Sequence, residues 1–144
     1  MRRRVAILFG LIIFAAMASL RAQTDEEVEA HKLVLDLTGA FSNEGFKLRD
    51  GHWTGTIKPA ERALIAVNLY AGNQYWFSAA ANTKAKKISV DLYDENGKPV
   101  VTEVYNQGEK AAAGYSPTAS GQYFVSLNFL EGEPTAFCLV YSYK

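Results

Sequence analysis

The sequence predicts an all-β, antiparallel, jelly-roll-like β-sandwich of about eight strands, preceded by one short N-terminal helix. Three observations lead there. From Trp53 onward apolar residues recur at every second position, the period of a strand with one face buried. Turn-forming clusters interrupt these runs at intervals of roughly 8–12 residues, the spacing of a sandwich. Ahead of Trp53, helical spacing occurs in one segment only, and it follows a capping sequence.

The chain begins with Met1-Arg2-Arg3-Arg4, an apolar run from Val5 to Met17 and a stretch of small residues ending near Ala22. A basic start, a short apolar middle and a small-residue end make residues 1–22 a secretory signal peptide, with cleavage expected after Ala22 and Ala18 as the other candidate. The apolar run is short for a membrane span, so no span is expected once the leader is cleaved. Of the 15 basic residues in the 144-residue chain, four (Arg2, Arg3, Arg4 and Arg21) lie in this leader, against none of the 15 acids. The overall neutrality is therefore an average, and the mature part is mildly acidic. That balance leaves no electrostatic footprint for nucleic acid. Export places the mature protein in the periplasm or outside the cell.

Residues 23–50 hold the helix and its connection. Thr24-Asp25-Glu26-Glu27 reads as an N-cap with Glu three residues on, and the acids suit the positive end of the helix dipole. Val28, His31 and Leu35 share one face, with Leu33, Leu37 and Phe41 adjoining it, and Gly39 is the expected stop. A strand over Lys32–Leu37, where Leu33, Leu35 and Leu37 alternate, is the competing reading.

Residues 51–144 hold the strands. Trp53–Ile57 is followed by Ala63–Tyr70, whose run ends in the turn Ala71-Gly72-Asn73-Gln74, and then by Tyr75–Ala80. Ile88–Tyr93 leads into Asp94-Glu95-Asn96-Gly97, a hairpin turn whose glycine accepts positive φ, with Val100–Tyr105 as the return strand. A weaker strand at Ala112–Tyr115, a strong one at Tyr123–Phe129 and a last one at Ala136–Tyr143 complete the set. No Pro-, Ser- or Gly-rich linker divides this part, which reads as one domain.

The chemistry-bearing residues are few. His31 and His52 fall in no catalytic or metal-binding motif, so an enzyme is not expected; a hydrolase using His52 with Asp50 is the weaker alternative. Cys138, the single cysteine, sits in an apolar strand and reads as a buried inert thiol, or as half of an intermolecular disulfide. No sequence pattern brings a histidine to it. Asp91 and Asp94, with Glu95 and Asn96, cluster at one turn and are the candidate ligands for calcium, although turn chemistry also explains them. No other cofactor is expected. Trp53, Trp76, Tyr93 and Tyr105 are the candidate binding residues, because aromatics opposite the regular apolar face either stack on a partner or lie under a covering element.

The ordered strand motifs resemble the bacterial pre-peptidase C-terminal domain. Those motifs are Gly55-Thr56-Ile57, Ala71-Gly72-Asn73-Gln74-Tyr75-Trp76-Phe77, Leu92-Tyr93-Asp94-Glu95-Asn96-Gly97 and Ser120-Gly121-Gln122-Tyr123-Phe124-Val125. The resemblance spans residues 51–144 and implies a secreted jelly-roll-like module that assists secretion or binds substrate and in some members binds calcium. Where such domains carry an acidic stretch before the turn, this chain has Lys87-Ile88-Ser89-Val90. The expected role is a non-catalytic binding or accessory module for an extracellular or envelope protein or polysaccharide, with a calcium-stabilised structural module as the alternative.

Overall fold

The structure, a computed structural model, describes residues 24–144; the leader lies outside the described residues. One helix, α1 (Asp25–Ser42), precedes nine strands: β1 (Lys47–Leu48), β2 (Trp53–Ile57), β3 (Arg62–Leu69), β4 (Tyr75–Ala81), β5 (Ala85–Tyr93), β6 (Glu103–Gln107), β7 (Lys110–Tyr115), β8 (Gly121–Gly132) and β9 (Thr135–Tyr143). They form two antiparallel sheets. The larger runs β1-β9-β4-β7-β6, with β2 also paired to β9, and the smaller runs β3-β8-β5.

The period-two residues of both sheets face each other and make the main core. Phe77 and Leu139 come from the larger sheet, and Ile88, Val90, Leu92, Val125, Leu127 and Phe129 from the smaller one. The middle strands β4 and β9 are apolar on both faces because both faces are covered, one by the opposing sheet and the other by α1. Along β4 and β7 this double cover selects small residues, Ala79–Ala81 and Ala111–Ala113, all with no exposed area. A second, smaller core joins Ala30 and Val34 of α1 to Ala80, Cys138 and Val140 on the outer face of the larger sheet.

The helix forms where its cap predicts, with Thr24 Oγ1 accepting from the Glu27 backbone N–H at 3.2 Å. Its buried face is only partly the expected one: Leu37 is buried and Leu33 packs on the second core as the spacing suggests, but the centre of the face lies elsewhere. Ala30, Val34, Leu37 and Thr38 are buried, whereas Val28 and Leu35 are exposed. The sheet beneath is lined with alanines and offers a close, flat surface, so small Ala30 and Thr38 fit where larger side chains would hold the helix off. Gly39 does not stop the helix either. It continues to Ser42, and Phe41 in this last turn stacks on Trp76 at 4.4 Å and 12°, a contact that outweighs one exposed glycine.

The hairpin after β5 also departs from expectation. The turn forms as read, with Asp94 Oδ1 accepting from the backbone N–H groups of Asn96 and Lys98 and with Gly97 at φ 79°. The return strand Val100–Tyr105 does not. Beyond the Tyr93–Pro99 bridge and a hydrogen bond from Val100 N to Leu92 O, the chain leaves the smaller sheet and enters the larger one as β6 beside β7. The pairing thus ends one residue beyond Pro99, at Val100.

Candidate functional site

At one end of the sandwich, side chains from four separate segments meet. The loop after β1 carries Arg49, whose backbone N–H donates to Tyr141 O at 3.0 Å. The guanidinium carbon lies 5.1 Å from the ring centres of both Trp53 and Tyr141, and those rings stack at 6.1 Å and 18°. Two aromatic faces therefore hold one cation in place. Among the described residues the one ion pair is Lys84 with Glu26, elsewhere in the molecule, and the Arg49 guanidinium pairs with no carboxylate there.

Beside Arg49 opens a cleft of about 210 Å³ lined by Asn68, Tyr70, Asn73, Tyr75, Tyr141 and Tyr143. The turn between β3 and β4 shapes it. Tyr75 is buried, and its hydroxyl accepts from the Tyr70 backbone N–H at 2.9 Å and from Asn73 Nδ2 at 3.2 Å, which fixes the turn over the ring. Tyr70 and Tyr143 are exposed at the rim. Burial pushes the Tyr141 hydroxyl above its ordinary range, with the Arg49 charge opposing, so it stays a neutral donor. The cleft thus offers aromatic faces, phenol and amide hydrogen-bonding groups, and one fixed cation.

The four expected aromatics do not form one face. Trp53 flanks Arg49 and packs on the main core. Trp76 is half-buried under α1, its ring against Phe41 on one side and so close to Gly114 that a Cβ there would come within 3.0 Å of it. Tyr105 lies on the edge strand β6, with its hydroxyl 2.5 Å from Gln107 Oε1. Tyr93 is on the outer face of the smaller sheet, paired with Phe124. That outer face also carries a polar ladder: Asn128 Nδ2 donates to Ser89 Oγ and to Asp91 Oδ2, and Ser126 Oγ donates to Asn128 Oδ1. One oxygen of Asp91 thus serves the ladder and one of Asp94 its own turn.

The two histidines are connected after all. His31 of α1 and His52, just before β2, stack with ring centres 4.3 Å apart and 24° between planes. With Cys138 they form a group whose ligand atoms all lie within 4.8 Å of one another. Cys138 is fully buried, and burial pushes its thiol up to about 11, the reverse of an activated nucleophile. Sequence spacing could not reveal this group, because its members come from positions 31, 52 and 138. The cleft was equally hidden: its residues span positions 49 to 143, and only Trp53 beside it stood out as an aromatic candidate.

The fold resembles that of PliG from Aeromonas hydrophila, a periplasmic lysozyme inhibitor of g-type lysozyme. The TM-score is 0.51 at 12% sequence identity, over 70% of this chain and 90% of that one. Weaker likenesses are to a CBM4 structure (TM-score 0.43, 21% identity, 74% of this chain and 83% of that one) and to a de novo designed double-stranded β-helix (TM-score 0.38, 14% identity, 63% and 97%). No family model matches the chain, and no curated protein matches it.

Proposed function

We propose that the protein is an exported, non-catalytic binding module that takes an acidic glycan into the tyrosine-lined cleft beside Arg49. One observation carries the reading: Arg49 is pinned between Trp53 and Tyr141 and faces the cleft without a carboxylate of its own. A guanidinium held this way presents parallel N–H donors to a carboxylate, the pairing for which its geometry is suited. The tyrosine faces fit the apolar C–H faces of a sugar ring, and Asn68 and Asn73 fit its hydroxyls. At about 210 Å³ the cleft is smaller than the roughly 300–1,000 Å³ of a drug-sized pocket, which suits one sugar unit of a longer chain.

Export rests on the leader at residues 1–22, and the module itself on residues 51–144, whose ordered motifs resemble the pre-peptidase C-terminal domain. The PliG likeness supports the sandwich that carries the site. Burial pushes the Cys138 thiol up to about 11, which argues against a thiolate nucleophile there.

The test is binding of the mature chain to uronic-acid polymers and to neutral glucans by affinity electrophoresis and calorimetry. Uronic polymers should bind and neutral ones should not. Arg49→Ala should weaken binding roughly tenfold or more, in line with a charged hydrogen bond of about 1.5–3 kcal/mol, and Tyr70→Ala should weaken it less. Equal binding of Arg49→Ala and wild type, or preference for the neutral glucan, would overturn the proposal. Capture of an envelope protein in an Arg49-dependent way, with no polymer binding, would transfer the same cleft to a protein carboxylate.

A further inference from the structure

The cluster of His31, His52 and Cys138 plays no part in the cleft. Cys138 and Tyr141 lie on opposite faces of β9, Cys138 toward α1 and Tyr141 toward the opposing sheet. Three independent elements build the cluster. Residue 31 sits on α1, one position after the fully buried Ala30 that seats the helix on Cys138 and Val140. Residue 52 precedes β2, whose Thr54 pairs with Cys138, so His52 lies two residues along on the same face of the sheet. Residue 138 is at the centre of β9, where α1 covers it.

Two imidazoles and a sulfur are the nitrogen and sulfur ligands that late transition metals take. Neither ring donates or accepts a side-chain hydrogen bond among the described residues, although both are hydrogen-bonding groups and His31 is half-buried. A metal bound at roughly 2.0–2.3 Å by nitrogen and sulfur holds its ligand atoms about 3.5 Å apart. In the structure the three ligand atoms lie within 4.8 Å of one another, a little wider than that spacing.

We propose that His31, His52 and Cys138 bind a thiophilic late transition-metal ion, zinc(II) or copper(I), as a three-ligand site that ties α1 and the loop before β2 to the centre of the larger sheet. Sulfur with imidazole selects these ions over calcium and magnesium, which take oxygen ligands. Binding replaces the Cys138 S–H bond with a sulfur–metal bond and releases one proton to solvent; no electron is transferred. The exposed side of His52 leaves a further coordination position open to water.

The experiment titrates the metal-free mature chain with cobalt(II) as a spectroscopic probe and then displaces it with zinc(II). A parallel arm gives copper(I) in competition with a chelating dye. Expected are one ion per chain, a near-ultraviolet thiolate-to-metal charge-transfer band, and a rise in melting temperature with metal. His52→Ala changes an exposed loop residue and leaves the core intact. It should lower affinity by more than the roughly 10–100-fold that even outer-shell partners of a metal supply, and His31→Ala should do the same. The ion that survives chelator competition separates zinc from copper. Absence of the thiolate band in wild type, or equal affinity in wild type and His52→Ala, overturns the proposal. Because Cys138→Ser alters a buried position, the histidine variants decide the matter if that protein does not fold. Glycan binding by Arg49 is read separately, so failure of one proposal leaves the other standing.

Discussion

Replacing Ser78 by alanine should stabilise the protein. Ser78 lies on β4 between Val140 of β9 and Ala112 of β7, in the layer that α1 covers, and its hydroxyl is buried with no hydrogen-bond partner. A buried hydroxyl left unpaired costs about 1–3 kcal/mol relative to its hydration in the unfolded chain. Alanine removes that cost and leaves a space the size of one oxygen, roughly 10 Å³. At about 24 cal/mol per Å³ this space costs only a few tenths of a kcal/mol. The net expectation is a gain of about 1–2 kcal/mol. For a domain of this size that is a rise in melting temperature of roughly 4–8 °C, and the urea midpoint should rise with the m-value unchanged. Calorimetry and urea unfolding of the wild type and Ser78→Ala, both in chelator, measure it. A loss of stability in Ser78→Ala would refute the reasoning, because it would mean the hydroxyl is satisfied in solution, by a water or by a backbone carbonyl.

Two further outcomes follow from other positions. Gly132 has φ 134° at the register shift between β8 and β5, and a Cβ there would lie 2.6 Å from Lys84 O and 2.7 Å from Lys86 N; Gly132→Ala should cost about 2–4 kcal/mol, read as a lower urea midpoint. In alkali the metal-free protein should lose stability. The folded Cys138 thiol is raised from 9.0 to about 11, so its contribution is complete below pH 9 and is lost as pH climbs through 11, up to about 2.7 kcal/mol at 1.36 kcal/mol per unit. Burial also raises Tyr123 and Tyr141, which extend the loss above pH 10. Cys138→Ala should flatten the segment between pH 9 and 11, and an unchanged profile would contradict it.

The strands were legible because each carries its own alternation and turn. Ala63–Tyr70 and Tyr123–Phe129 fall within one or two residues of β3 and the centre of β8, since burying one face of a strand leaves a period that neighbours cannot disguise. The helix face was misread for the converse reason. Which residues α1 buries depends on the alanines of β4 beneath it, some fifty residues away, and a count of large apolar side chains favours Val28 and Leu35 over Ala30 and Thr38. The return strand failed similarly, because Val100 packs on the core and bonds Leu92 but the chain then leaves that ladder to join β7 as β6. The Arg49 cleft and the His31–His52–Cys138 cluster depend wholly on tertiary pairing. Neither has a local pattern, and histidines 21 positions apart carry no mark of stacking.

Strand β9 pairs with β1, β2 and β4, and α1 packs across it. A chain emerging with its N-terminus first therefore holds these four elements without their common neighbour until residues 135–143 are free. The β4-β7-β6 part of the larger sheet can pair beforehand, but β1 and β2 join it only when β9 closes between them and β4. Such long-range closure is slow compared with local hairpin formation. It makes damage to β9, rather than to α1, the change that would leave the most of the larger sheet without a place to dock.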